Sequence, residues 1–445
     1  MRPTAGIGVL GAGPAAVATA CGLRRLGHDS VLIGTSRNTA VEAMSERTLA
    51  LLRQNGLITA AATVRGPAER TGTWAGEALL GGGEYIADRA ELDAALLIDA
   101  ASTGVVVRNE RALRYERLGP LWRVRGEREE LLCRVLIDAR GRRAQRPVRK
   151  GPELIAVCQR FQLREGGRLL TRIEAAPQGW CWLAIRGGTG WLQVTSSRKE
   201  PSLRLGVRQH LGRFLAAVPH LAAALSDAAP LGAPVARAAT ATLSADTQMA
   251  GVLRAGDAAL TLDPLSGQGV YEALRSAQIA IAAAHTFLTT GQWQPVEQFL
   301  GERVRELWKR RIATAALHYV RQAQGTPTLF WRQSAAHYES IGPPRGAGVA
   351  RIEWRPVLNG TRIEVRRVVV TPRSPRGVWQ VEEVDLPELL DFLGTPSGDV
   401  ERAAGHLSRS PEAVAHALQW LRAQGLCGAS EAAGRVPGKW DARSG

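Results

Sequence analysis

The sequence predicts an α/β protein. It combines a Rossmann-type dinucleotide-binding domain, an antiparallel β-sheet domain inserted into it, and a small C-terminal α+β module with a winged-helix-like pattern. Three observations carry this prediction. The apolar run at residues 7–10 meets Gly11-Ala-Gly13-Pro-Ala-Ala16 and then a helical pattern. A second strand, turn and helix spans residues 256–276. Between the two, residues 152–200 change to short strands with large side chains.

The 445 residues, 45% of them hydrophobic, suffice for two or three domains with a sizeable core. The predicted boundaries are 1–150 with 245–300 for the dinucleotide domain, 151–244 for the β-rich substrate domain, 301–345 for a helical connector, and 350–435 for the C-terminal module. The formal charge is +16, and nearly all of the basic residues are arginine, because the lysines are only Lys150, Lys199, Lys309 and Lys439. Composition bias from GC-rich coding is one reading of this arginine excess; the functional reading is an anionic cofactor together with an acidic partner surface. Five scattered cysteines lack metal-ligand spacing, so neither a metal nor a disulfide framework is expected. The first apolar run is too short for a signal segment and no apolar 18-mer follows, which makes the cytoplasm the expected location, with no membrane association.

In chain order, residues 6–33 read as a βαβ unit. Gly11 permits the tight turn, Gly13 lets a pyrophosphate approach the backbone, and Ala16 allows close helix-to-strand packing. The acid usual after the second strand is missing, so a ribose would be held by Thr35 or Ser36, and Arg37 would suit a phosphate. A capped helix begins at Ser45 with Arg47 near its start. Residues 84–107 read as a helix followed by a strand, with Arg89 just before the helix. Residues 111–140 read as antiparallel strands closing with Asp138 and Gly141. Trp180 and Trp182 alternate on one strand and therefore share a face, as pocket lining or as core. At 256–276, Asp257 sits at a strand end where a carboxylate can accept from ribityl hydroxyls. Pro264, Gly267, Gln268 and Gly269 turn the chain into a helix whose N-terminus suits an anion.

These motifs, Gly11-x-Gly13-x-x-Ala16, Asp88-Arg89 with Asp93, Asp138 with Gly141, and Gly256-Asp257 followed by Pro264 to Gly269, resemble in their order the FAD-dependent aromatic hydroxylase, tryptophan halogenase and geranylgeranyl reductase superfamily over residues 6–300. The resemblance implies FAD between the two glycine motifs, with Gly11, Gly13 and Ala16 at the pyrophosphate, Asp257 at the ribityl chain and Pro264 to Gly269 facing the isoalloxazine. Arg47 and Arg89 match weaker family positions. It also implies that reduced FAD activates O2 as a C4a-hydroperoxide for attack by an electron-rich ring. The halogenase pattern Trp-x-Trp-x-Ile-Pro is matched as far as Ile185 but continues with Arg186, and no lysine precedes Lys150, which disfavours halogenation. No second dinucleotide motif is evident, so NAD(P)H binding transiently, or a separate reductase, is the expected electron source. No catalytic acid or base is identified.

Residues 297–340 read as helices rich in arginine and aromatics. The tail after residue 350 reads as three strands and three helices, the last opening at Ser410. This order resembles the winged-helix-like modules that bind leader peptides of modified peptides by adding a strand to a sheet edge, with a packing or dimerisation domain as the competing reading. Together with the flavin half, it resembles the peptidyl-tryptophan hydroxylases that mature cysteine tryptophylquinone, such as the one serving quinohemoprotein amine dehydrogenase. The expected function is therefore FAD-dependent hydroxylation of a tryptophan in a protein or peptide substrate, alone or alongside another maturation enzyme. A hydroxylase of a free aromatic natural product is the alternative. A flavin-sensing DNA-binding regulator is disfavoured, because the last helix carries Glu412, His416, Gln419 and Arg422 on its polar side, and no nucleic acid is expected.

Overall fold

The structure, a computed structural model, describes residues 4–36, 40–164, 168–245, 250–341, 349–394 and 400–426. Arg37, Cys427 and the Pro-Gly linker beginning at Pro343 lie outside the described residues. The chain divides into two compact units, residues 1–293 with 304–343, and residues 294–303 with 344–445.

Two sheets organise the first unit. In one, strands Val106–Arg108, Ser30–Ile33, Ala5–Leu10 and Glu130–Asp138 run parallel, Val252–Arg254 adds a parallel partner to the last of these, and Leu121–Gly126 and Ala112–Leu118 continue antiparallel. The central strand residues Ile7, Val9 and Leu10 are fully buried, as a parallel sheet covered on both faces requires. Helix Pro14–Arg25 packs on helix Gly269–Thr290, and together they cover this sheet.

The second sheet has nine strands, ordered Ala229–Ala238, Leu154–Gln162, Thr189–Ser197, Gly179–Arg186, Leu169–Ala176, Arg65–Trp74, Glu84–Asp88 and Val41–Met44, with Glu77–Leu80 paired to Arg65–Trp74. Residues 84–88, at the start of the span 84–107 read as helix then strand, form a strand of their own. They pair with Val41–Met44 and Arg65–Trp74, and the helix begins at Arg89, capped by Asp88, whose carboxylate accepts from the Ala90 N–H at 2.8 Å. Four strands of this sheet thus come from residues 41–88, outside the span 151–244.

One face of the second sheet packs against helices Val207–Ala217 and Pro219–Ala224 through Phe214, Leu211 and Leu221. The other carries Trp180, Trp191, Trp74 and, from the helical segments after residue 304, Trp308, Tyr319, Trp331 and Tyr338. Described cysteines Cys21, Cys133, Cys158 and Cys181 are buried free thiols. Burial pushes the thiols of Cys133 and Cys158 up to about 12.

The second unit contains hairpin Arg351–Asn359 with Arg362–Val370, followed by helices Leu386–Leu393, Val400–Leu407 and Pro411–Ala423. Ser410 caps the last helix by accepting from the Ala413 N–H at 3.2 Å. The third expected strand is broken. Val378 makes a bridge to Val369, and Gln380–Val381 folds back on Val384–Asp385. Glu382 and Glu383 form the turn with φ of 46° and 66°, and Glu382 pairs with His416 at 2.7 Å. Two left-handed glutamates end the strand after two residues, because a tight primed turn follows the twist of its flanking strands at the cost of an unfavourable backbone.

Candidate functional site

In the first unit, the carboxyl ends of the parallel strands open on a cavity of about 1160 Å³, and one face of the second sheet forms its opposite wall. Ligands of open α/β sheets bind at such strand ends.

The first wall is mostly backbone. Strand Ala5–Leu10 ends in Gly11, where φ is +119° and a Cβ would lie 2.4 Å from the Ala139 carbonyl oxygen, so only glycine fits. Gly13 is the N-cap of helix Pro14–Arg25, with extended backbone, no side-chain cap and no acid in the first turn. The N–H groups of that turn therefore remain available to an anion. Ala16 is fully buried behind the turn.

Gly256 takes φ +60°, and a Cβ there would lie 2.9 Å from Ala15 Cβ, which draws the Gly256–Ala258 turn against the same helix. Asp257 follows with its side chain 38% exposed on the cavity, 3.9 Å from Arg142. Pro264–Ser266 forms a short turn capped by Asp263, which accepts from the Leu265 N–H at 2.9 Å. Gln268 then caps helix Gly269–Thr290 without a side-chain bond. Pro264, Gly267, Gln268 and Gly269 all reach the cavity, and a Cβ at Gly267 or Gly269 would meet no atom within 4 Å. Two uncapped helix N-termini, an accessible carboxylate between them and open space above the glycines fit an anionic dinucleotide with a polyhydroxyl chain. The cavity's arginines, among them Arg111, Arg142 and Arg143, outnumber its acids. Thr35 and Ser36 line it at the far end.

The arginine expectations resolve differently. Arg89 is buried beneath the Gly13 turn and does not line the cavity. Its guanidinium binds Asp93 at 2.8 Å and Glu42 at 3.1 Å, and its Nη2 would lie 3.7 Å from a Cβ on Gly13. Burial pulls its pKa down, but the two carboxylates more than offset this and the net direction is up. It supports the turn from below. Arg47 is exposed on helix Glu46–Gln54 and is not among the residues walling the cavity.

The second wall is side chains. Trp180 and Trp182 share the cavity face of strand Gly179–Arg186, with Ile173 and Gln193 opposite Trp182 on the two neighbouring strands. Trp180 is 1% exposed and belongs to the aromatic core as well as to the wall, while Trp182 is half-buried. Trp180 Nε1 donates to the Tyr319 hydroxyl at 3.4 Å, and Tyr319 donates to Asp263 Oδ2 at 3.0 Å. Tyr338 donates to the same oxygen. Burial pushes the Asp263 carboxyl above its ordinary value, while bonds from Tyr338, Leu265 and Tyr319 pull the other way. Asp263, Tyr319 and Tyr338 were not singled out as site residues from sequence. An Asp before a proline turn is a capping signal, but nothing local ties it to tyrosines 56 and 75 residues away. Among the described residues no group of three metal-ligating side chains occurs, and no helix is long and apolar enough to cross a membrane.

No family model matches the chain. A peptidyl tryptophan dihydroxylase essential for tryptophylquinone cofactor biogenesis superposes with a TM-score of 0.82 at 30% identity, covering 96% of this chain and 100% of that one. A flavin-dependent halogenase superposes at 0.74 and 18% identity over 96% of each chain, and a myxobacterial chondrochloren halogenase at 0.64 and 22% over 74% of this chain and 85% of that one, likenesses that show the fold alone. The digeranylgeranylglycerophospholipid reductase of Methanocaldococcus jannaschii is 27% identical over 245 residues, which are 51% of this chain and 61% of the reductase. The chain thus matches less than two thirds of that curated relative's length.

Proposed function

Because the chain belongs to the FAD-dependent monooxygenase family of the aromatic hydroxylase and tryptophan halogenase superfamily, alongside the peptidyl tryptophan dihydroxylase, we propose that it hydroxylates a tryptophan side chain within a protein substrate during tryptophylquinone biogenesis. The observation that carries this reading is the likeness to the dihydroxylase along almost the whole chain, the C-terminal unit included. The cavity supports it with one wall suited to a dinucleotide and another of aromatic side chains.

In this reading Gly11, Gly13 and the first turn of helix Pro14–Arg25 hold the pyrophosphate of FAD, with Ala16 behind them and Arg89 supporting the turn. Thr35 and Ser36 take the adenosine ribose, Asp257 the ribityl hydroxyls, and Pro264 to Gly269 the isoalloxazine. When bound and reduced by NAD(P)H or a separate reductase, FAD supplies the activation of O2. The protein places the ring and excludes water. Trp182 and Ile173 offer an apolar face for an indole, Trp180 stiffens that face from the core, and Gln193 supplies a polar edge. The cysteine tryptophylquinone type of quinone, action in the cytoplasm and docking of the substrate on the C-terminal module extend the same reading. The absence of a lysine before Lys150 favours hydroxylation over halogenation.

The deciding experiment is mass spectrometry of tryptophan-bearing partner proteins, and of free tryptophan, after incubation with reduced holoprotein and O2. A gain of one or two oxygens on a protein tryptophan, absent from the free amino acid, is the expected result. Oxidation of a free aromatic alone replaces the protein substrate with a small molecule. Oxygen on neither overturns the monooxygenase assignment.

A further inference from the structure

The two walls of the cavity are tied together at one buried carboxylate. Asp263 is 5% exposed and stands directly before the Pro264–Ser266 turn. Its Oδ1 accepts the Leu265 N–H at 2.9 Å, which belongs to the cofactor wall. Its Oδ2 accepts two phenol hydroxyls, from Tyr319 on helix Gln294–Gly325 and Tyr338 on helix Leu329–Ser340. Tyr319 in turn accepts the Trp180 Nε1–H of the aromatic wall. A continuous path Leu265–Asp263–Tyr319–Trp180 therefore crosses from one wall to the other.

Capping the turn needs only Oδ1. The second oxygen receives two further donors in a place where solvent does not reach, and both tyrosines are fully buried. The three partners of the carboxylate are placed to donate to it, which favours the ionised form against the burial that pushes its pKa above the ordinary value. Arg142, from the turn at Gly141–Ala144, adds a favourable charge, and Tyr319 and Tyr338 are the other titratable groups facing it.

We propose that Asp263 is a positioning residue that locks the flavin-facing turn to the aromatic wall through Tyr319 and Tyr338, fixing the separation of cofactor and substrate ring and placing one negative charge at the cofactor wall. The inference rests on the hydroxylase reading for what the two walls hold. Asp263, Tyr319 and Trp180 are all buried, so a displacement of the turn is passed on to Trp180 and the reverse.

The test uses FAD-loaded protein carrying Asp263→Asn, Tyr319→Phe or Tyr338→Phe. The measurements are the FAD dissociation constant, the midpoint potential of the bound flavin by dye equilibration, and the fraction of consumed O2 recovered on the tryptophan-bearing protein identified above rather than as hydrogen peroxide. Tyr319→Phe removes the cross-wall path and is expected to keep FAD affinity within about threefold while most of the O2 emerges as peroxide. Tyr338→Phe keeps the path and should leak less. Asp263→Asn should add a positive shift of the potential, because a negative charge near the flavin disfavours its reduction. Unchanged coupling in Tyr319→Phe together with an unshifted potential in Asp263→Asn overturns the proposal, as does loss of FAD from all three variants, which would make the group part of the binding site rather than a positioning residue. The potential needs no substrate. A wild type that oxidises no protein therefore sinks the hydroxylase reading, while the Asp263→Asn shift still decides the charge at the cofactor wall.

Discussion

The wall made by Gly11, Gly13, Asp257 and the turn at Pro264–Ser266 is specified by backbone conformation, whereas the wall made by Trp180, Trp182, Ile173 and Gln193 is specified by side chains from three strands. The first offers N–H groups and open space next to the backbone, features that suit an anionic dinucleotide. The second is an aromatic and polar surface whose shape depends on what packs behind it. The same cavity thus has one wall whose entry turn at Gly11 leaves no room for a Cβ and another in which single side chains divide stability from selectivity.

Trp180 offers the largest effect. Replacement by alanine empties a site that is 1% exposed and removes the bond to Tyr319, and should cost about 3–5 kcal/mol in denaturant unfolding, with substrate oxidation falling as well. Gly11→Val tests the opposite wall. A side chain at φ +119° against the Ala139 carbonyl should cost about 3 kcal/mol, and the protein should purify without its yellow flavin absorbance. If Gly11→Val retains FAD, the contrast between the walls is wrong.

Trp182→Ala separates the two contributions within the aromatic wall. A half-buried ring should cost only about 1–2 kcal/mol, yet oxygen incorporation into the protein substrate should drop further than in a variant of equal stability loss elsewhere. Thermal unfolding beside single-turnover product analysis measures both.

The smallest expected effect lies behind the aromatic wall. His210 is fully buried between Ser202 Oγ at 2.7 Å and Ser196 Oγ at 3.2 Å, and burial holds its pKa below the ordinary 6.5. The folded state binds fewer protons than the unfolded one between those two values. The contribution of a neutral His210 is therefore complete above 6.5 and is lost as pH falls toward the lower folded value. Midpoints of urea unfolding between pH 7 and pH 5 should fall more in the wild type than in His210→Gln; parallel curves would remove His210 from the acid limb.

Much of the first wall was legible in the sequence, because its chemistry is local. Gly11, Gly13, Asp257 and Pro264 to Gly269 stand on the cavity as their spacing within single turns predicts. The second sheet was only partly legible. Arg65–Trp74 and Ala229–Ala238 carry mostly exposed, polar or small residues with no clean alternation, so no period announces them; pairing with Leu169–Ala176 and Leu154–Gln162 makes them strands. Glu84–Asp88 does not read as a strand because the helix formers follow it directly, and only pairing with two neighbouring strands makes it one. In the C-terminal unit, the run after Gly377 has the composition of a strand but is cut by the turn at Glu382 and Glu383, which His416 and Arg409 hold through tertiary contacts.

By itself the sequence determined the βαβ start, the glycine turns, the helix N-termini that open on the cavity and the alternation that puts Trp180 and Trp182 on one face, since each follows from conformational limits acting within a few residues. Only the tertiary structure decided that Arg89 is neutralised beneath the turn, that Arg47 stays outside the cavity walls, and that Asp263 meets Tyr319 and Tyr338. Those outcomes depend on burial and on partners brought together from distant parts of the chain, and no local pattern encodes which charge will be left facing water and which will be closed into the core.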